Sequence, residues 1–298
     1  MAAGTIYLGA DIRPLEMGWT LLVTEAGRHA DPTSIHRPAA RIAAPVPGTV
    51  AGALADAGLF DRERPHALHD KDAWYFRSLE GEAPGPAILR FEGLATIAEV
   101  YLNGELKFSS QSMFEASDLA FEITGRDDLA ICFRALTPHL DKRGPRARWR
   151  PQMMDHQGLR LTRTTVLGHM PGWCPEIQPV GPFRPITLIR TGEREISDLR
   201  IKADLDIDGS GLLTTSFRLR GAAENAAIEC CGERLELTVS ADATMTAALR
   251  IPNVDAWWPR THGRPALHDL RLIIDGKPHS LGLVGFRRIE IDSGADGK

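Results

Sequence analysis

Short runs in which apolar residues alternate with polar ones, separated by Gly, Pro, Asn and Asp, recur along most of the 298-residue chain. Alternation with period two puts one row of side chains on a buried face and the next in water. The pattern therefore predicts antiparallel strands rather than alternating strand and helix units. The clearest instance is Val100-Tyr-Leu-Asn-Gly-Glu-Leu-Lys-Phe108, where Asn103-Gly104 supplies the two positive φ angles that a type I′ hairpin turn demands. Residues 87–91, 119–123 and 129–133 read as further strands of the same sheet system, which together suggest a jelly roll. One stretch departs from the period: over residues 49–58, Val50, Leu54 and Ala57 recur at helical spacing and Gly58 is placed to stop the turn, predicting a short helix.

A polar stretch at residues 190–195 marks the expected domain boundary. Beyond it the alternation resumes through Leu199, Ile201, Ala203 and Leu205, then Leu213, Thr215, Phe217 and Leu219, then Leu235, Leu237 and Val239. Runs at 247–251, 270–274 and 281–291 bring the total close to the roughly seven strands of an immunoglobulin-like sandwich. Turns are expected at 206–211 and 275–278. The fold expected is all-β: a jelly-roll, sugar-binding-like domain over residues 1–190 and an immunoglobulin-like β-sandwich over 191–298. Residues 141–151, basic and interrupted by proline, read as a long surface loop.

Composition narrows the function classes. With 43% hydrophobic and 25% charged residues and a formal net charge of -4, the chain has the profile of a soluble globular protein, and nucleic acid is not expected as a partner. No stretch approaches the roughly 20 apolar residues of a membrane span, so no membrane is expected either. The start lacks the basic and apolar regions of a secretion signal, which makes cytoplasmic residence the expectation. Cys132, Cys174, Cys230 and Cys231 fit neither a disulfide framework nor a zinc motif and are expected to be reduced. Cys230 and Cys231, adjacent in an expected strand, should point to opposite faces.

The run His66-Ala-Leu-His-Asp-Lys-Asp72 raises the question of a metal. The spacing of His66, His69, Asp70 and Asp72 fits no zinc pattern, and surface charges on a solvated loop explain it as well, so no metal or cofactor is expected. No Gly-x-Ser-x-Gly elbow supports a hydrolase triad. Trp74, Trp257 and Trp258 lie in or beside strands and read as core or interface residues.

Several segments occur in an order that resembles the front of a family 2 glycoside hydrolase of the β-mannosidase type. They are Val46-Pro-Gly-Thr-Val50, Asp72-Ala-Trp-Tyr-Phe76, Arg90-Phe-Glu-Gly-Leu94, Ala98-Glu-Val-Tyr-Leu-Asn-Gly104 and Met113-Phe114, then Gly181-Pro-Phe-Arg-Pro-Ile186, Trp257-Trp-Pro259, Gly263-Arg-Pro-Ala-Leu267 and Gly285-Phe-Arg287. The resemblance implies a sugar-binding-like domain joined to an immunoglobulin-like one, ahead of a catalytic (β/α)8 barrel that carries the two carboxylates of glycoside hydrolysis. Such a barrel takes about 250 residues. Because Gly285-Phe-Arg287 lies almost at the C-terminus, this chain is expected to carry none. The family's acid/base is the Glu of an Asn-Glu pair, whereas Asn103, Asn225 and Asn253 are followed here by Gly, Ala and Val; no catalytic residue is therefore expected.

The family loop that reads Gly-Trp-Asp-Trp-Gly-Pro corresponds to Met170-Pro-Gly-Trp-Cys-Pro175. Trp173 matches its second tryptophan, while Pro171 and Gly172 replace the first tryptophan and the aspartate. Loss of that carboxylate removes an acceptor for sugar hydroxyls. Two substrate-binding residues follow from the resemblance: Trp173, whose flat face suits the C–H groups of a pyranose or else fills an interface, and Arg163, which either bonds a sugar or holds the loop. The expected role is thus the non-catalytic N-terminal part of a β-mannosidase-like hydrolase, bracing a catalytic barrel and lining its sugar pocket. The alternatives are a free-standing carbohydrate-binding module and a protein-interaction scaffold.

Overall fold

Alternation in the sequence becomes antiparallel pairing throughout the computed structural model, which describes residues 4–35, 40–140, 144, 152–154, 156–190, 192, 194–239, 244–291 and 294. The chain divides into two units, residues 11–191 and residues 1–10 together with 192–298. The basic stretch at 141–151, apart from Gly144, lies outside the described residues, as do residues 191 and 193 of the polar 190–195 boundary.

In chain order the strands begin with β1 (Ile6–Leu8), β2 (Asp11–Pro14), β3 (Thr20–Glu25) and β4 (Ile42–Ala43). Helix α1 (Val50–Asp56) precedes β5 (Lys71–Ser78), β6 (Gly85–Phe91), β7 (Ala98–Leu102), β8 (Glu105–Ser110), β9 (Ser117–Ile123) and β10 (Asp128–Phe133). After the single turn α2 (Thr137–Leu140), strand β11 (Ile186–Arg190) completes the larger unit. The remainder holds β12 (Arg194–Leu205), β13 (Gly211–Arg220), β14 (Ala226–Cys230), β15 (Glu233–Glu236), β16 (Thr238–Val239), β17 (Thr244–Ile251), β18 (His268–Ile274) and β19 (Lys277–Val284). The fold is all-β, a galactose-binding-like jelly roll followed by an immunoglobulin-like sandwich.

The larger unit is built from a six-stranded sheet, β4-β3-β5-β10-β7-β8, and a four-stranded sheet, β2-β11-β6-β9. Ala73 and Tyr75 of β5 join the main core with Leu89 and Phe91 of β6 and Ile131 and Phe133 of β10. On the opposite face Trp74 and Phe76 form a second cluster with Ile35, Tyr101, Ala130 and Cys132. Arg41 stacks over the Phe76 ring at 3.6 Å and Arg134 over Trp74 at 5.1 Å, so cations cover that outer aromatic face. With both faces of β5 apolar, burial runs unbroken from Asp72 to Tyr75 and the period-two signal vanishes there.

The hairpin at Asn103-Gly104 forms as the sequence predicts: φ is 53° and 82° at the two turn residues, and Leu102 pairs with Glu105. The Asn103 side chain locks the turn further, donating to Asp127 Oδ1 at 2.9 Å and accepting from the Asp128 amide at 2.8 Å. Helix α1 also forms, with Thr49 accepting from the Gly52 amide at 3.2 Å as its N-cap. Val50 is buried and Leu54 packs half-buried against the main core, as the spacing predicts, with Ala51 and Ala53 buried beside them; Ala57, the C-cap of a helix of under two turns, stays exposed.

The smaller unit consists of a five-stranded sheet, β1-β12-β13-β17-β16, and a four-stranded sheet, β15-β14-β18-β19. Phe217, Ile228, Leu270, Leu272 and Phe286 fill the space between them. Residues 1–10 group with this unit because β1 pairs with β12, Ile6 opposite Ile196. One expectation is corrected here. Cys231 does not continue the strand; it turns the chain with φ 53°, so the Cys230 and Cys231 sulfurs lie 3.8 Å apart instead of on opposite faces. Trp258 is likewise 54% exposed and no core residue. Among the described residues no helix is long and apolar enough to cross a membrane.

Candidate functional site

The described segment 156–185, ahead of β11, carries both residues singled out from the sequence. Its C-terminal end is fixed to the strap before β7: the Ala95 and Gly181 backbones exchange two hydrogen bonds of 3.0 Å. Gly181 has φ 127°, and a Cβ there would stand 2.9 Å from the Tyr75 hydroxyl. Only glycine combines that backbone with that closeness, which explains the residue at the head of the Gly-Pro-Phe-Arg motif.

The other end is tied to the segment after β8. The Met113 amide donates to the Arg163 carbonyl at 3.0 Å, the Thr165 amide donates to the Met113 sulfur at 3.1 Å, and the Thr96 and Thr164 hydroxyls meet at 2.6 Å. Between these anchors Gln178, 5% exposed, acts as an internal staple. Its Nε2 donates to the Gly168 carbonyl at 3.0 Å and its Oε1 accepts from the Leu68 amide at 3.1 Å. The turn that follows is closed by the Trp173 and Cys174 amides donating to the Met170 carbonyl at 3.1 and 3.2 Å.

This anchored loop holds Trp173 in solvent, 72% exposed. Phe114, next to the anchoring Met113, and Val166 and Leu167, next to Thr165, are exposed apolar side chains as well. Arg163, its side chain 66% exposed, donates from Nε to the Ser112 hydroxyl at 3.2 Å and pairs with Glu115 at 3.5 Å. The arginine thus has protein partners that keep the loop's near end in place, while the indole lies mostly in solvent.

A histidine group that local sequence reading missed includes two residues of this segment, His156 and His169. The His69 ring is 5.3 Å from that of His169 and 5.7 Å from that of His156, both edge-on. His169 is buried, and burial first, then the neighbouring His69 and His156, pull its pKa down to about 4. His69, His169, Gln178, Thr96, Thr164 and Arg134 line one cavity of about 10 Å³, near the lower limit for a single water. His69 therefore has its neighbours on remote segments and not in the His66–Asp72 run. Asp72 departs from the solvated reading altogether: it is 1% exposed at the start of β5, bound to Arg134. Among the described residues no group of three or more His, Cys, Asp or Glu is arranged to hold a metal ion.

Comparison with known proteins agrees with this architecture. Residues 24–184 match the model of the glycosyl hydrolase 2 galactose-binding domain-like family. Beta-mannosidase B of Thermothelomyces thermophilus is 26% identical over 244 residues, 73% of this chain and 28% of the relative. Beta-mannosidase B of Aspergillus terreus is 23% identical over 224 residues, 69% of this chain and 26% of the relative. The chain thus spans less than a third of the length of these curated relatives. Among solved structures, the β-D-mannosidase from Dictyoglomus thermophilum superposes with a TM-score of 0.72 at 18% identity, covering 94% of this chain and 36% of that one. A β-glucuronidase from an uncultured Clostridium gives 0.64 at 16% identity, covering 97% and 46%.

Proposed function

The chain belongs to the glycosyl hydrolase 2 galactose-binding domain-like family, and from that premise we propose that it is the non-catalytic front part of a β-mannosidase-like hydrolase. In this reading the jelly roll ends near residue 190, the immunoglobulin-like domain follows, and the two brace a catalytic barrel that hydrolyses a terminal β-linked sugar with retention. The observation that carries it is Trp173: a large apolar surface kept 72% exposed by a loop that is itself fixed at both ends. A solvent-facing indole on an ordered loop gains nothing for the isolated fold, and it gains much once a second surface or a sugar covers it. Arg163, already engaged by Ser112 and Glu115, positions the loop.

The test is a comparison of Trp173→Ala with wild type in the barrel-bearing protein, using an aryl β-mannoside. The substitution is expected to lower kcat/KM roughly tenfold, from about 1–1.5 kcal/mol of aromatic contact. The thermal midpoint should stay unchanged, since so exposed a side chain contributes little packing. Unaltered kinetics would remove Trp173 from the sugar pocket. The same exposed indole supports a second reading, a free-standing carbohydrate-binding module. That reading predicts calorimetric binding of manno-, gluco- or galacto-oligosaccharides by the chain alone, lost in Trp173→Ala, whereas the first predicts no binding without the barrel.

A further inference from the structure

Cys230 and Cys231 form a pair that the sugar chemistry leaves unused. Strand β14 ends at Cys230, β15 begins at Glu233, and the two residues between them, Cys231-Gly232, have φ of 53° and 83°. That is the two-residue hairpin geometry also found at Asn103-Gly104 and at Asp275-Gly276. At those turns the first residue is one whose short polar side chain tolerates a left-handed backbone; cysteine has no such advantage, so backbone conformation does not account for Cys231. Its consequence is chemical. The positive φ swings the exposed Cys231 sulfur to 3.8 Å from that of the buried Cys230. Both cysteines are free, and both residues line one surface cavity of about 320 Å³ together with Asp269 and Arg271.

Oxidation to a disulfide is not what this geometry favours. The peptide linking the two is trans, which holds neighbouring Cα atoms about 3.8 Å apart, short of the roughly 4.4–6.8 Å that disulfides span. A metal ion needing three or four protein ligands is not served either, since no such set exists among the described residues. What remains is a centre that takes two sulfurs on one side and brings its own third substituent. We infer that Cys230 and Cys231 form a chelating dithiol site for a thiol-seeking metalloid, of which a monosubstituted trivalent arsenical is the type.

The reaction balances without an oxidant. The exposed Cys231 thiol adds across the As=O bond of an arsenoso group, forming one As–S bond and leaving a hydroxyl on arsenic. The Cys230 thiol then forms the second As–S bond as its proton and that hydroxyl depart as water. Burial pushes the Cys230 thiol up to about 12, so it is protonated in the resting protein and Cys231 reacts first.

The probe is phenylarsine oxide, added to the purified chain in the presence of excess monothiol and read by intact mass spectrometry. One adduct per chain is expected, heavier than the protein by phenylarsine oxide less one water, resistant to the monothiol and released by a dithiol. Cys231→Asn, which suits the left-handed turn, should keep the circular dichroism spectrum and weaken half-saturation by about a hundredfold or more, since a chelate becomes a single bond. Cys174→Ser should bind as wild type does. Absence of the wild-type adduct, or its survival with unchanged half-saturation in Cys231→Asn, would overturn the assignment.

Discussion

Replacing Asp72 with alanine is expected to destabilise the larger unit by about 3–5 kcal/mol, the usual cost of removing one partner from a buried ion pair. The carboxylate accepts from Arg134 Nη1 at 2.9 Å, from the Ala135 amide at 2.8 Å and from the Gly27 amide at 3.0 Å. The same guanidinium reaches Glu99 on β7 from Nε at 2.8 Å and the His29 and Ala30 carbonyls at 2.7 Å each. One cation therefore ties β5, β7 and the turn after β3 together, over the face of Trp74. Without Asp72 two amides lose their acceptor and Arg134 loses one of its two ion-pair carboxylates, keeping Glu99. Urea unfolding should show a lower midpoint, and amide exchange should accelerate at Gly27 and Ala135 while β12–β19 exchange as before. An unchanged midpoint would mean that the network is ornamental. Asp72→Asn, which keeps an acceptor, should lose less.

The second large effect is an acid one. His169 binds its proton less readily in the folded state, with a pKa of about 4, than at the ordinary 6.5. Lowering the pH therefore favours the unfolded state, which takes up the proton first. The stabilisation is full above pH 6.5 and is lost progressively as the pH falls towards 4. At about 1.4 kcal/mol per pH unit the loss amounts to about 3 kcal/mol. His69 faces the ring edge-on, with His156 edge-on to His69 in turn and Arg134 on the same cavity, and these basic neighbours add to burial in disfavouring the charged imidazole. Stability measured from pH 7 to 4 should fall in the wild type and much less in His169→Gln. Parallel pH curves for the two proteins would show that His169 is not the acid-labile group. Because His169 sits in the loop that presents Trp173, acid should also raise amide exchange across residues 166–178 first.

These two results bear on groups whose importance no local pattern announces. Asp72 stands in a His- and Asp-rich run that reads as solvated, and only its entry into β5 under Arg134, distant in sequence, makes it buried. His169 and Gln178 have no neighbours in sequence that mark them; their partners His69, His156 and Leu68 come from segments that folding alone brings near. Trp173 is visible because a motif flanks it, yet the sequence leaves open whether it offers its face to a sugar or fills an interface. Its exposure, like the engagement of Arg163 by Ser112 and Glu115, is a result of how the loop is anchored.

By itself the sequence determined whatever depends on neighbours along the chain: the period-two strands, the Asn103-Gly104 hairpin, the short helix α1, and the ordered motifs that tie the chain to its family. Each rests on backbone sterics or on a side chain's alternation between faces, which act over a few residues. Tertiary structure alone decided the pairing of β1 with β12, the burial of Asp72 and the crowding of three histidines. Those outcomes depend on contacts between residues far apart in sequence, where burial and the loss of water set the energy, and no local rule carries that information.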